Sequence, residues 1–181
     1  MPDPAATRAR ILATASRLFY ERGVNAVGVN EIAAAAGASK LSLYKYFPSK
    51  HALVEAMLSE SSDGAHERLR GAAAGASPLA VVDLVLATLG GPGFRGCPIV
   101  NGATDTRDDP ATVAIARRHL ARYRTLLEQS LGDRVDRAVL ARQLLLLIEG
   151  AATVMAIDRT TDAARDARAA AEVLLSADPR R

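Results

Sequence analysis

The sequence predicts an all-α fold, and three observations predict it. Alanine is the most abundant residue and leucine is common, and this composition favours helix over sheet. Apolar residues recur at the spacing of one helical face in most segments, and no segment alternates convincingly as a strand would. Glycine, proline and capping residues separate these segments. Together they indicate eight or nine helices and no sheet.

The first four helices are predicted from their apolar spacing and from the residues at their ends. Gly23 suits the position after a helix, and Gly28 and Gly37 flank a short apolar segment. Ser39 and Ser49 are typical N-caps. The helices are predicted over residues 7–22, 29–36 and 40–46, and from 50 to about 71.

The remaining helices are predicted in the same way. Ser77-Pro78 and Asp109-Pro110 each combine a cap with a proline at the first helical position. Residues 94–109 are predicted to be irregular because they contain Gly96, Pro98 and Gly102. The remaining helices are predicted from Pro78 until the glycines at 90–93, from 110 to about 131, from 132–133 to about 157, and from 161–162 to about 175.

The charge is small in total but unevenly placed. The formal net charge is +3, and all three lysines lie at positions 40, 45 and 50. Residues 1–50 carry seven basic and three acidic side chains, a net +4, so the remainder carries −1. A basic N-terminal segment on a nearly neutral body indicates a polyanionic partner.

Several classes of protein are excluded by the sequence. A single cysteine, Cys97, excludes an internal disulfide framework and a multi-cysteine zinc site, and no cluster of His, Cys and Asp indicates a metal. No nucleophile motif indicates an enzyme, and no cofactor is expected. The longest apolar stretch, 144–157, is broken by Glu149 and is too short to cross a bilayer. With no signal-like N-terminus, we expect a cytoplasmic protein without a membrane partner.

Residues 28–50 have the pattern of a helix-turn-helix. Ile32, Ala36, Leu43 and Phe47 are spaced to form a small core across a turn near Gly37. Such a unit presents the outer face of its second helix to a major groove about 12 Å wide. The side chains predicted on that face are Lys40, Ser42, Tyr44, Lys45 and Tyr46.

The sequence resembles the TetR family of bacterial transcriptional regulators over residues 8–55. The resemblance rests on Ile32-Ala33, on residues 37–40 and above all on the run Leu43-Tyr-Lys-Tyr-Phe-Pro-Ser-Lys50. Residues 94–101 are also similar to a segment found in one large group of these regulators. The resemblance implies a DNA-binding domain, residues 1–50, and an effector-binding and dimerisation domain, residues 51–181.

The resemblance also implies which residues contact a palindromic operator on double-stranded DNA. Lys40, Leu41 and Ser42 match base-contacting positions. Tyr44, Tyr46 and Lys50 match positions that face the DNA backbone. Lys45 is also predicted to contact DNA, because its positive charge lies on the outer face of the second helix of the motif. The chain departs from the family at Gly28, where Ser or Thr is usual, and at Leu41, where Gly, Pro or Ala is frequent.

A homodimer is predicted from residues 135–157, whose apolar side chains surround nearly the whole helix. One face is expected to meet the core and another a second subunit, although the core alone is an alternative. The predicted interface residues are Leu140, Leu144, Leu147, Ala151, Val154, Ala167, Ala171 and Leu174.

The function predicted is a repressor that a small apolar or amphipathic effector releases from its operator. The predicted effector-binding residues are Leu86, Leu89, Phe94, Cys97, Tyr123, Leu126, Leu146 and Met155. Two alternatives stay open. Cys97 is either a packed small side chain or a redox sensor, which requires a lowered thiol pKa. The other alternative is that the protein is a helical ligand carrier or enzyme that uses the cavity.

Overall fold

A computed structural model describes residues 3–177, and these contain nine helices and no strand. The prediction of an all-α fold is therefore confirmed. The helices are α1 Pro4–Arg22, α2 Val29–Ala35, α3 Lys40–Tyr46, α4 Lys50–Ala73, α5 Pro78–Leu86, α6 Pro98–Asp105, α7 Pro110–Ser130, α8 Arg137–Asp158 and α9 Asp162–Ser176.

The structure contains a helix, α6, where the sequence predicts irregular chain. The helix propensity of this segment is poor because it includes Asn101, Gly102 and Thr104. Tertiary packing stabilises it instead, since Ile99 and Ala103 are buried. A Cβ at Gly102 would lie 2.6 Å from the Leu58 side chain, so glycine lets α6 approach α4 closely. The prediction for 94–109 was wrong because it used local signals alone.

Two other helices begin at different residues from those predicted. Asp3 caps α1, accepting a hydrogen bond from the Ala5 N–H at 3.0 Å, so the helix begins at Pro4 rather than residue 7. Helix α8 begins at Arg137 rather than 132–133. The guanidinium of Arg134 donates two hydrogen bonds to the Asp136 carboxylate, at 2.9 and 3.0 Å, and holds the preceding residues in a turn.

Contacts divide the chain into two compact units that are not continuous in sequence. The first comprises residues 3–62 and 98–116, and the second comprises 63–97 and 117–177. The predicted boundary after residue 50 therefore differs from the structure, because the first half of α4 and all of α6 pack into the N-terminal unit. This long-range packing leaves no local signal at the boundary.

The first unit is built around the packing of α1 on α2, α3 and α6. The sequence-predicted core residues Ile32, Ala36, Leu43 and Phe47 are all buried. The side chains that are completely shielded from solvent in this unit include Ile11, Ala15, Ile32, Leu43, Leu53 and Leu58.

The second unit is a helical bundle in which α8 packs along α9, and α5 packs against both. Its core joins residues of α4, α5, α7, α8 and α9. The Arg168 guanidinium donates to Asp83 at 2.8 Å, which ties α9 to α5 outside the apolar contacts. The central core residues include Val82, Leu127, Ala141, Leu144 and Ala171.

Helix α8 is long and apolar enough to cross a membrane by length and composition, and 39% of its most apolar window is buried. The apolar stretch 144–157, which the sequence marks as too short to cross a bilayer, is shorter than the helix that contains it. A core helix passes the same test, so this property is weak support for a membrane span.

Candidate nucleic-acid interface

Local hydrogen bonds hold the turn between α2 and α3, the second helix of the predicted motif, at the end of α2 and at the start of α3. Ser39 caps it, its Oγ accepting the Ser42 N–H at 3.0 Å. Gly37 has φ +58° and follows α2 in a Schellman arrangement, with Ala38 N–H donating to Ala33 O at 2.9 Å and Gly37 N–H to Ala34 O at 3.0 Å. The left-handed conformation explains the requirement for glycine in the turn.

The structure brings most of the predicted DNA-binding residues onto one outward face of α3. Leu43 is fully buried and Phe47 nearly so, and they anchor the helix to the unit. Away from these two anchors, Lys40, Leu41, Tyr44 and Lys45 are exposed. Ser42 and Tyr46 are half-buried at the edges of this face. We call the four exposed side chains the outer face of α3.

The outer face is basic and aromatic, with no carboxylate nearby in the chain. No acidic residue occurs between positions 32 and 54, and the three lysines all fall there. The Lys40 Nζ lies 6.0 Å from the centroid of the Tyr44 ring, within cation–π range. The pair presents a positive charge and an aromatic ring together.

Lys50 lies apart from the outer face, at the first residue of α4, and is half-buried. Its Nζ is 5.9 Å from the Phe19 ring centroid. It also borders a small cleft of about 110 Å³ within the first unit. The cleft is lined by Val24, Asn25, Lys50, His51, Val54 and Thr106.

Two arginines of α1 support the motif in a way that sequence reasoning missed. Arg10 Nε donates to Ala36 O at 2.7 Å and satisfies a carbonyl at the end of α2. The Arg8 guanidinium lies 5.1 Å from the Phe47 ring centroid and pairs with Glu60 at 2.9 Å. No local signal could reveal these contacts, because the partners are far apart in sequence.

Residues near α6 and α7 hold the turn after α1 and the start of α4. The Asp105 carboxylate accepts the Val24 N–H at 2.8 Å, and Asn25 Nδ2 donates to Asp105 O at 2.9 Å. His51 Nδ1 is 3.0 Å from Asp109 Oδ2. The hydrogen bond from His51, with a further one from the Ala111 N–H, lowers the pKa of Asp109. These contacts make 98–116 part of the candidate interface unit.

The predicted effector-binding residues all lie in the second unit, but they do not share one environment. Leu146 is 72% exposed, so its prediction as a pocket residue was wrong: it points away from the core of its own subunit. The others are buried or half-buried: Leu86, Leu89, Phe94, Cys97, Tyr123, Leu126 and Met155. Leu86, Tyr123 and Leu126 belong to one apolar cluster, with Leu89 packed against it.

Polar side chains gather beside this apolar cluster, and only Cys97 and Tyr123 among them were predicted as site residues. Cys97 Sγ is 3.6 Å from His119 Nε2, and the His119 and Tyr123 rings meet edge to face at 4.6 Å. Burial lowers the pKa of His119 to about 4 and raises that of Tyr123 to about 12. Burial also raises the pKa of Glu149. The Nδ1 of His66 is buried and has no hydrogen-bond partner within residues 3–177.

Five of the eight predicted interface residues are already buried within the single subunit. Leu140, Leu144, Ala151, Ala167 and Ala171 are at most 7% exposed, so they have almost no surface left for a partner. Their assignment to an interface was wrong because a helix that is apolar on all sides does not show which face its own core takes. Leu147 and Leu174 are half-buried, and Val154 is 44% exposed.

Four apolar side chains face outward on α8, and Val154 is the one of them that the sequence predicted as an interface residue. At 100° per residue they fall within about 80° around the helix axis, so they form one stripe. We call these four residues the α8 stripe: Val139, Leu146, Val154 and Ile157.

Comparisons with known proteins agree with this arrangement. Residues 11–57 match the family model described as bacterial regulatory proteins, tetR family. An uncharacterized HTH-type transcriptional regulator of Mycobacterium tuberculosis is 54% identical over 44 residues, which are 24% of this chain and 22% of that protein. The HTH-type transcriptional repressor NemR of Escherichia coli K12 is 40% identical over 63 residues, 35% of this chain and 32% of NemR. The matched segments thus span about a fifth to a third of these relatives.

Solved structures match over nearly the whole chain. SCO4454, a TetR-family transcriptional regulator from Streptomyces coelicolor, superposes with a TM-score of 0.84 at 25% identity, covering 97% of this chain and 90% of that one. The reduced form of E. coli NemR gives 0.82 at 25% identity, covering 93% and 96%. The helix-turn-helix segment of this chain is thus similar to the TetR family of bacterial regulatory proteins, and the fold of its described residues is similar to that of TetR-family regulators.

Proposed function

We propose that the protein is a homodimeric transcriptional repressor that binds a palindromic operator and is released by a small apolar or amphipathic effector. The observation that carries the proposal is the outer face of α3. It is rigidly capped, lacks carboxylates, and presents Lys40, Tyr44 and Lys45 together. This combination suits a helix that enters the major groove, where lysines meet phosphates and side chains meet base edges.

Selection from random-sequence DNA tests this binding and identifies the operator in the same experiment. The purified protein is mixed with random-sequence duplexes, and bound duplexes are amplified and sequenced over several rounds. We expect an inverted repeat to be enriched, with half-sites about one helical turn apart. Tyr44→Ala should weaken binding to the enriched duplex at least tenfold without changing the oligomeric state. Failure to enrich any sequence would contradict the proposal.

Dimerisation is proposed through the α8 stripe. The stripe exposes four large apolar side chains on a helix whose opposite side is core, and Val173 of α9 is also 70% exposed. Contiguous apolar surface of this kind marks protein–protein contacts. A second copy of the subunit fits best, because an inverted-repeat operator requires two-fold symmetry.

Release by an effector is proposed to depend on the second unit, where polar groups border the apolar cluster around Tyr123. An effector can act only by binding one conformation of the dimer more tightly than the other. Compounds are screened by their ability to dissociate the enriched duplex from the protein. An effector that dissociates the complex should also raise the melting temperature of the free protein. If no compound class did so, release by a small molecule would lose its support.

A second candidate, thiol sensing, is favoured by one observation, the 3.6 Å approach of Cys97 Sγ to His119 Nε2. The low pKa of His119 opposes it, because a neutral imidazole does not stabilise a thiolate. Cys97→Ser separates the two candidates. The repressor proposal expects its DNA complex to respond to oxidant as the wild type does, whereas a sensor would lose release by oxidant.

A further inference from the structure

The least expected side chain on the outer face of α3 is Leu41. It is 83% exposed, more than Tyr44 at 37%. Single exposed leucines are common on protein surfaces, so exposure alone carries no argument. Its position does. At 3.6 residues per turn, Leu41 lies about 160° around α3 from the buried Leu43, and Lys45 lies about 160° in the other direction. Leu41 and Lys45 are therefore neighbours on the part of the helix surface that is farthest from the core.

The chemistry of the major groove restricts what this leucine can meet. Purines and cytosine present hydrogen-bond donors and acceptors at their major-groove edges, and thymine also presents a C5 methyl group. An isobutyl group placed against a donor or acceptor would remove water from it without replacing the hydrogen bond, which is unfavourable. The thymine methyl is the apolar group available in the major groove.

We propose that Leu41 is a specificity-determining residue that packs against the C5 methyl of one thymine in each half-site. This inference rests on the proposed function, because it requires α3 to enter the major groove. The neighbouring charges favour that placement: Lys40 and Lys45 flank Leu41, and no carboxylate lies between positions 32 and 54 to repel the phosphates. DNA is thus the partner that the exposed Leu41 side chain contacts.

The test removes single methyl groups from the enriched duplex. Each thymine is replaced in turn by deoxyuridine, which keeps all hydrogen-bonding groups and loses only the C5 methyl. For wild-type protein we expect one symmetric pair of positions to be sensitive, with affinity falling about fourfold per half-site and about fifteenfold for both. The other thymines should be indifferent or clearly less sensitive.

Two variants make the test specific to Leu41. With Leu41→Ala, affinity for the thymine duplex should fall, and the deoxyuridine substitution at the sensitive pair should have no further effect. With Lys45→Ala, affinity should fall while the deoxyuridine effect stays, because Lys45 contributes charge. The exposure of both side chains predicts unchanged melting temperatures.

Three outcomes would overturn the inference. A duplex without any deoxyuridine-sensitive thymine would overturn it while leaving the proposed function standing. The same deoxyuridine sensitivity in Leu41→Ala and wild type would do likewise. If random-sequence selection enriched no duplex at all, the proposed function and this inference would both fall.

Discussion

The three lysines of this protein occupy different environments, and those environments decide what each can do. Lys40 and Lys45 stand on the outer face of α3, whereas Lys50 is half-buried and its ammonium lies over the Phe19 ring. A half-buried lysine held by a ring is better ordered than a free one. It therefore loses less side-chain entropy when it contacts a phosphate.

The role of Lys50 is tested by the salt dependence of DNA binding. Lys50→Ala should weaken binding to operator and unrelated duplexes alike, because a phosphate contact carries no sequence information. The slope of log affinity against log salt should decrease by about one for each recognition unit. Lys50→Arg, which keeps the charge, is the matched control and should retain the slope. An unchanged slope in the alanine variant would remove Lys50 from the phosphate contacts.

His119 makes the stability of the second unit depend on pH. Burial, with smaller effects from the charges of Arg122 and His66, lowers its pKa to about 4 from an ordinary value of 6.5. Between these values the unfolded chain binds a proton that the folded chain does not. Stability therefore falls as the pH drops from about 6.5 towards 4, by an amount that approaches about 3 kcal/mol.

Urea unfolding at pH 7 and pH 4.5 measures this effect. Between the two pH values the wild type should lose about 2 kcal/mol more unfolding free energy than His119→Gln, which cannot titrate at this position. Equal losses in the two proteins would show that His119 is not the group responsible.

At the scale of the element, the ends of the short helices matter more than their interiors. Helices α2 and α3 each have only seven residues, so their own propensity is marginal and their caps and packing hold them. Ser39 provides a side-chain cap for α3, whereas Gly28 provides none for α2. Gly37, with its positive φ, makes the turn between them.

Serine substitutions at the two glycines should have opposite effects on stability. Gly28 has extended backbone and open space around a Cβ, so Gly28→Ser can cap α2 and should stabilise the protein by a few tenths of a kcal/mol. Gly37 also has open space, but its φ of +58° strains other residues, so Gly37→Ser should destabilise by about 1 kcal/mol. Urea midpoints measure both variants, and a stabilised Gly37→Ser would refute the backbone argument.

Sequence reasoning succeeded where the determinants are local and failed where they are distant. Ser39, Ser77-Pro78 and Gly37 act within one turn of the chain, and they stand where predicted. Helix α6 depends on contacts with α1 and with Leu58, which no local pattern encodes. The outer face of α3 follows from helical period, whereas the supporting contacts of Arg8 and Arg10 span distant residues. The face of α8 that its own core takes could not be predicted from an all-apolar helix.

At the scale of the whole molecule, the apolar surface left outside one subunit is the feature to explain. The sequence pattern of α8 correctly indicates more apolar surface than one core covers, although most of the predicted interface residues lie inside the subunit. The α8 stripe is the part of this apolar surface that the core of the chain leaves exposed. Its burial against a second copy would remove that surface from water.

A charge on the α8 stripe should disrupt the proposed dimer without unfolding the chain. Leu146 is 72% exposed, so Leu146→Glu should leave the melting temperature of the monomer unit nearly unchanged. In a dimer it would place an unpaired carboxylate in an apolar interface, and the dimer dissociation constant should rise at least tenfold. Analytical ultracentrifugation measures this. Val135→Glu, also highly exposed but outside α8, is the control; a stable Leu146→Glu dimer would contradict the interface.

The anchoring of the α1–α2 turn by Asp105 bears on how chimeric regulators from this chain should be built. A graft that transferred only residues 1–50 to a new sensor domain would leave the Val24 N–H and the Asn25 amide without their carboxylate and carbonyl acceptors. It would also cut α4 before Leu53 and Leu58, two of the side chains that complete the unit's interior. The transferable module is therefore a two-segment one, and a recombinant that retains its fold should carry residues 98–116 along with 3–62.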